Sequence, residues 1–176
     1  MKNPILLYGI GSGFLIAVFS TLSYFLKLDE KSAFAILLNI SSYALLFMAI
    51  FVGALQYRKQ ENNNKATYGE AYGWCAQVVL FAAMTIGLFT LVYFILDPSA
   101  KELIVAASNA QIESNEMSEE QAEMAMKVSE WISNPFAITL SAFCAYGVVG
   151  LMLSLVAAVF VRNEKHKSFD PINTHL

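Results

Sequence analysis

Four long stretches of this sequence carry no charged side chain, and they limit the folds open to the chain more than any other feature. They cover residues 4–26, 33–57, 73–96 and 135–161. A helix rises about 1.5 Å per residue, so roughly 20 apolar residues cross the ~30 Å hydrocarbon core of a bilayer. Each stretch is long enough, and none alternates with the period of two that marks a barrel strand. The pattern predicts four transmembrane helices.

Composition and local signals agree with this prediction. Of the 176 residues, 57% are hydrophobic and 14% charged, whereas soluble domains hold about 45–50% and about 25%. Asn3-Pro4 and Asn134-Pro135 each open a stretch with a capping side chain, followed by a proline that has no amide to leave unpaired. The first stretch exceeds the apolar region of a cleaved signal peptide. We therefore predict an all-α integral membrane four-helix bundle, a single domain over residues 1–176.

The distribution of basic residues predicts the orientation of the bundle. Seven of the eleven basic residues fall on one side: Lys2, Arg58, Lys59, Lys65, Arg162, Lys165 and Lys167. The other four fall on the opposite side: Lys27, Lys31, Lys101 and Lys127. Cytoplasmic loops carry the excess of Lys and Arg, so we expect both termini and Asn63 to be cytoplasmic and Asn115 to be external.

The external segment 97–134, between the third and fourth spans, is too long for a bare connection. Asp97-Pro98 predicts a first helix towards Ile112, and a capping box of Ser118 and Gln121 predicts a second. The second helix is amphipathic, with Gln121, Met124, Val128 and Trp131 on one stripe. The segment is either an acidic lid that attracts cations or a partner, or an extramembrane amphipathic helical hairpin that rests this stripe on the bundle or on lipid headgroups. We favour the hairpin.

Glu70 is a carboxylate next to the predicted cytoplasmic start of the third span, which makes it the candidate for a proton or ion role. Thr67 stands three residues earlier, and this spacing is that of a capping box, in which the carboxylate accepts from the Thr67 amide. We favour capping over chemistry. The neighbouring rings of Tyr68, Tyr72 and Trp74 suit a membrane interface.

The sequence around the connection between the second and third spans also resembles that of a known family. Tyr57-Arg58 followed by Thr67-Tyr68-Gly69-Glu70-Ala71 resembles a family of four-span bacterial membrane proteins classed as a domain of unknown function. Two further motifs are similar: Asn3-Pro4-Ile5-Leu6 with Tyr8-Gly9, and Ser133-Asn134-Pro135-Phe136. The chain departs from the family at Gly73 and Trp74, where members often carry a basic residue. The resemblance implies a multi-pass protein of the bacterial inner membrane, and it implies no activity.

Small residues recur every four positions on all four predicted helices: Gly9, Gly13 and Ala17; Ala49 and Gly53; Ala83 and Gly87; Gly150, Ser154 and Ala158. Lipid tails give helices no hydrophobic reason to associate, so close packing through small side chains takes that role. The stripes are either faces for a second copy or contacts within the bundle. We favour contacts within the bundle.

Uncharged polar residues gather in the predicted outer half: Ser20, Thr21, Tyr24, Asn39, Ser41, Ser42, Tyr43, Thr90, Tyr93, Thr139 and Ser141. They either line a shallow vestibule or bond to each other and to carbonyls one turn earlier, which is the commoner arrangement. An unpaired amide is costly in hydrocarbon, so we expect Asn39 to face the bundle and to bond Ser20, Tyr24, Thr90 or Tyr93.

None of the four spans contains Asp, Glu, Lys, Arg or His, and this absence argues against proton-coupled transport and catalysis. Cys75 and Cys144 lie at different depths and should stay unbonded, and both histidines lie in the C-terminal tail. We expect no catalytic residue, metal or cofactor and, at a net charge of −3, no nucleic acid. The predicted role is a non-enzymatic scaffold or accessory subunit. It would act in the lipid bilayer with a second copy or another membrane protein. The alternative is an oligomeric carrier or pore for an uncharged or weakly polar solute.

Overall fold

The computed structural model describes residues 3–26, 32–61, 65–97, 99, 123–124, 127–128 and 134–163. It contains four long helices: α1 (Pro4–Phe25), α2 (Ala33–Glu61), α3 (Tyr68–Leu96) and α4 (Pro135–Val161). All four are long and apolar enough to cross a membrane. The predicted all-α four-helix bundle is therefore confirmed.

Two helices continue beyond the expected spans. α2 runs four residues past position 57 to Glu61, and α3 begins at Tyr68, five residues before position 73. The extra turns carry Arg58, Lys59 and Glu70, whose charges can reach the headgroup region while the backbone stays helical. The absence of charges therefore marks the membrane-embedded part of a helix rather than the whole helix.

The packing gives the bundle two distinct ends. α3 packs extensively against both α1 and α4, and α2 packs against the other three helices. At one end lie the start of α1, the end of α2, the start of α3 and the end of α4, held together by the contacts of Arg58 with Val161 and of Asn163 with Ala66. We call this the basic end, because Arg58, Lys59, Lys65 and Arg162 all lie there.

Close helix crossings account for the small residues of α1. A Cβ atom added to Gly9 would lie 2.6 Å from the Phe81 Cβ atom, and one added to Gly13 would lie 2.6 Å from the carbonyl oxygen of Ala82. Both neighbours belong to α3, so side chains larger than hydrogen do not fit between the two backbones. The same holds for Gly150 of α4, where an added Cβ would lie 2.5 Å from a Val79 methyl group. These contacts support packing within the bundle over a dimer face.

Burial along α2 and α4 is concentrated towards the basic end. Between positions 33 and 45 of α2 only Ser42 is buried, and between positions 135 and 149 of α4 only Ala137 is. In the other halves the buried positions are Leu46, Ala49, Ile50, Gly53 and Ala54 of α2 and Gly150, Ser154, Ala157, Ala158 and Val161 of α4. Among the described residues, α2 and α4 are therefore less buried towards the opposite end of the bundle, which we call the open end.

Most of the predicted external segment 97–134 lies outside the described residues, including the capping box of Ser118 and Gln121. Within its described part, Lys127 pairs with Glu123 one turn earlier at 2.8 Å, as helical spacing requires. Met124 and Val128 are exposed. The contact expected for this stripe, with the bundle or with lipid headgroups, stays a prediction.

Candidate functional site

Glu70 takes part in the capping box that its spacing predicts. Its Oε2 atom accepts a hydrogen bond from the Thr67 backbone amide at 2.8 Å, and the Thr67 hydroxyl oxygen accepts one from the Glu70 amide at 3.3 Å. Two of the free amides at the start of α3 are thereby paired. The capping interpretation of Glu70 is confirmed. Asn134 caps α4 in a similar way, with its Oδ1 atom accepting from the Phe136 amide at 2.9 Å.

Replacing Thr67 with alanine will lower the free energy of unfolding by about 0.5–2 kcal/mol, because the Glu70 amide loses its acceptor. Glu70→Gln is the matched variant, since the amide oxygen of glutamine can still accept from the Thr67 backbone. Unfolding in mixed micelles measures both. A Glu70→Gln chain of unchanged stability that lost its cellular role would favour the proton or ion role over capping.

Arg58 links the end of α2 to the end of α4 through a hydrogen bond. Its Nη1 atom donates a hydrogen bond to the carbonyl oxygen of Val161, a fully buried residue in the last turn of α4. The last four carbonyls of a helix have no partner within the helix, and their partial negative charge favours a cation. Among the described residues, the buried Nε atom of Arg58 has no hydrogen-bond partner. The guanidinium group is therefore a structural donor, held among protein atoms.

A backbone pairing reinforces the contact made by Arg58. The amide of Asn163 donates to the carbonyl of Ala66 at 2.9 Å, and the two residues form an isolated antiparallel bridge. Ala66 is buried although it lies between two helices. The connection from α2 to α3 is thus attached to the residues that follow α4. Sequence reasoning missed this arrangement, because nothing in the sequence indicates which helix ends are neighbours.

Aromatic and amide side chains complete the basic end. The Tyr57 and Trp74 rings lie 5.2 Å apart between centroids, and the Tyr68 hydroxyl donates to the Leu155 carbonyl at 3.2 Å. Gln56 donates from Nε2 to the Tyr8 hydroxyl oxygen at 2.8 Å. The predicted interfacial aromatics therefore also link α2, α3 and α4 to one another.

Hydroxyl groups in the spans bond mainly to their own helices. Thr21, Ser42, Thr85, Thr139 and Ser154 each donate to the carbonyl four residues earlier, at 2.7–2.9 Å. This is the commoner of the two arrangements that the sequence left open. These hydroxyl protons are consequently not available to a ligand or to another side chain.

Asn39 lies at an exposed position of α2. The side chain of Tyr24, one of its expected partners, lies outside the described residues, so the expected bond across the bundle stays a prediction. Leu46 lies on the same face of α2 two turns later and is 1% exposed. The neighbouring helices therefore cover this face at Leu46 and leave it uncovered at Asn39.

Burial also decreases along one face of α4 towards the open end. Phe136, Gly147 and Ser154 point in nearly the same direction, because they are separated by whole numbers of turns. Ser154 is fully buried, a Cβ added to Gly147 would meet nothing within 4 Å, and Phe136 is 71% exposed. Neighbouring helices thus cover this face of α4 at Ser154 and leave it exposed at Phe136, near the open end.

The two cysteines are free, as expected from their depths, with Cys75 buried and Cys144 exposed. Across the described ranges, no group of three or more His, Cys, Asp or Glu side chains is placed to hold a metal ion. The polar contacts that gather at the basic end of the described structure are thus the capping box, the Arg58 contact, the bridge between Ala66 and Asn163, and the hydrogen bonds of Gln56 with Tyr8 and of Tyr68 with Leu155.

Comparison with known proteins gives one match. No curated protein and no solved structure matches the chain. One family matches residues 7–163, which include all of α2, α3 and α4 and most of α1. Its description carries no activity, so the match bears on fold and membership. The chain belongs to the family described as protein of unknown function (DUF4199).

Proposed function

We propose that this chain is a non-enzymatic scaffold or accessory subunit of the bacterial inner membrane. The observation that carries the proposal is the filled interior next to the basic end, where Ile5, Ile50, Val78 and Ala158 are at most 1% exposed. Interiors packed in this way have no room for a bound solute. The surfaces available for function are then the outer faces of the helices and the open end.

Close crossings also support this proposal over the carrier alternative. The contacts of Gly9, Gly13 and Gly150 bring backbone against backbone or against a branched side chain. A path for solute would have to separate α3 from both α1 and α4 at these points. The carrier alternative rests on the less buried open end, which by itself gives access to only one half of the bundle.

We further propose that the basic end faces the cytoplasm. The support is that the described basic residues Arg58, Lys59, Lys65 and Arg162 all lie at this end, as the positive-inside rule requires. Impermeant maleimide should label Lys65→Cys only after the inner membrane is opened, whereas Ser32→Cys should react in intact spheroplasts. The reverse pattern would overturn this orientation.

In-cell cross-linking tests the proposed function. The tagged full-length chain is cross-linked in its native membrane, purified, and analysed by quantitative mass spectrometry against an unrelated tagged four-span protein. We expect one membrane protein, or a second copy of the chain, to co-purify in near-stoichiometric amount. An equal recovery of every membrane protein in both samples would contradict a scaffold or accessory role.

Proteoliposomes separate the two functions. Liposomes that contain the purified chain should be no more permeable to small uncharged solutes than empty liposomes of the same composition. Saturable uptake of one such solute, lost in a variant that no longer folds, would replace the scaffold proposal with the carrier alternative.

A further inference from the structure

The contact between Arg58 and Val161 brings three cations of the basic end close to one another. Lys59 follows Arg58 in the sequence and Arg162 follows Val161, and both residues are exposed. The Arg58 guanidinium group donates to the Val161 carbonyl, and that carbonyl group is bonded directly to the backbone nitrogen of Arg162. The exposed side chains of Lys59 and Arg162 therefore start from either side of this contact. We call Arg58, Lys59 and Arg162 the basic cluster.

The basic cluster has no counter-ion among the described residues. The hydrogen bond of Arg58 goes to a neutral carbonyl, which leaves the positive charge uncompensated. Between described residues the structure shows one ion pair, which joins Lys127 to Glu123 in the segment after α3. Glu70 lies at the basic end, but its carboxylate accepts from the Thr67 amide and hydroxyl. Three like charges without a partner favour the binding of an anion.

The charges of the sequence show that carboxylates outside the described residues do not balance this end. The segments attached to the basic end are residues 1–3, 58–72 and 162–176, which hold seven basic residues and four acidic ones: Glu61, Glu70, Glu164 and Asp170. An excess of three positive charges remains even if each of these carboxylates is paired. The other ten acidic residues belong to segments across the ~30 Å hydrocarbon core, beyond the ~10 Å range of charges at about 0.1 M salt.

Neighbouring aromatic rings indicate that the basic cluster lies at the depth of lipid phosphates. Tyr57 precedes Arg58, and its ring packs against that of Trp74 at 5.2 Å between centroids. Tyrosine and tryptophan rings prefer the boundary between hydrocarbon and headgroups. Residues 33–57 carry no charge, so Arg58 and Lys59 are the first charges of α2 beyond the hydrocarbon core. Acyl chains hold a membrane lipid at this depth, which favours its phosphate over a soluble one.

We propose that an anionic phospholipid binds at the basic end, with its phosphate between the exposed side chains of Lys59 and Arg162. Guanidinium and ammonium groups are the side-chain groups that bind phosphate, and basic residues next to the ends of membrane helices bind anionic headgroups. Arg58 adds its charge from within the protein and keeps the two exposed side chains near each other. The proposal goes beyond the scaffold role, since it holds for an accessory subunit and for a carrier alike.

Native mass spectrometry of the full-length chain in micelles tests this lipid site. The chain is titrated with phosphatidylglycerol, which is anionic, and with phosphatidylcholine of the same acyl chains, which has no net charge. We expect phosphatidylglycerol to bind several-fold more tightly. Arg162→Gln should weaken the binding of phosphatidylglycerol about fivefold, the contribution of one basic residue near a headgroup, and should leave the binding of phosphatidylcholine unchanged.

Two variants that remove the same charge elsewhere are the controls. Lys167→Gln acts at the same end but outside the basic cluster, and it should weaken the binding of phosphatidylglycerol less than about twofold, because salt screens a charge that does not touch the lipid. Lys127→Gln acts on the opposite side and should have no effect. Unfolding in micelles without phosphatidylglycerol should show equal stability for Arg162→Gln and the parent chain, since this side chain is exposed.

Three results would overturn the proposal. Equal losses of affinity in Arg162→Gln and Lys167→Gln would show that the net charge of this end attracts lipid without a site. An unchanged affinity in Arg162→Gln would show that another group, such as a carboxylate of the same chain, occupies the basic cluster. Displacement of phosphatidylglycerol by millimolar inorganic phosphate would show that the site takes the free anion rather than a lipid.

Discussion

Replacing Gly13 with alanine will destabilise the bundle by about 1–3 kcal/mol, the usual cost of overpacking a closely packed contact. The added Cβ would lie 2.6 Å from the Ala82 carbonyl oxygen and 2.8 Å from the Thr85 Cβ atom. Both atoms belong to the framework of α3 and cannot rotate away, so α1 and α3 must separate. Unfolding of the purified chain in mixed micelles, followed by Trp74 fluorescence, measures the loss.

Two other glycines provide controls for Gly13→Ala. Gly11→Ala should be neutral or slightly stabilising, because an added Cβ would meet nothing within 4 Å and alanine favours helix by about 0.5–1 kcal/mol. Gly150→Ala should also destabilise the bundle, since an added Cβ would lie 2.5 and 2.9 Å from the two Val79 methyl groups and valine in a helix strongly prefers one rotamer. Equal stability of the Gly11 and Gly13 variants would show that α1 does not cross α3 at Gly13.

Replacing Arg58 with methionine will have the second largest effect, a loss of about 1–3 kcal/mol in the free energy of unfolding. Methionine keeps much of the aliphatic stem but cannot donate to the Val161 carbonyl, and hydrogen bonds from charged donors contribute about 1.5–3 kcal/mol. Relief of the buried, unpaired Nε atom offsets part of the loss. Hydrogen exchange should report faster opening in the last turn of α4, around Ala158.

Lys59→Met is the control for Arg58→Met. Lys59 is the next residue, carries the same charge and is exposed, so its removal should change stability by less than about 0.5 kcal/mol. If both variants lost the same stability, the effect would come from net charge at the basic end. A contact between α2 and α4 would then not be needed to explain it.

The structural features that the sequence predicted correctly are those that depend on local physics. The spans followed from charge-free length, and the starts of α3 and α4 followed from Thr67 with Glu70 and from Asn134 with Pro135. In each case the atoms that interact lie within four residues of each other, so their spacing in the sequence already determines whether they can meet. The small-residue stripes were also read correctly, because close backbone approach leaves few alternatives in lipid.

Features that depend on which helices are neighbours were missed. The Arg58 contact joins positions 103 residues apart, and spacing gives no information at that distance. The concentration of burial along α2 and α4 towards the basic end was not predicted either, because a periodic pattern does not report how far two helices diverge.

The concentration of packing near the basic end has a consequence for the response to bilayer thickness. The charge-free parts of α2 and α3, residues 33–57 and 73–96, are about 36–38 Å long at 1.5 Å per residue, which exceeds the ~30 Å hydrocarbon core. Helices relieve such hydrophobic mismatch by tilting. Because the close crossings of α3 with α1 and α4 hold the helices together near the basic end, a change in tilt will displace the opposite ends of α2 and α4 most. A thicker or thinner membrane should therefore alter the distance between α2 and its neighbouring helices at the level of Asn39. The contact of Arg58 with Val161 should stay unchanged.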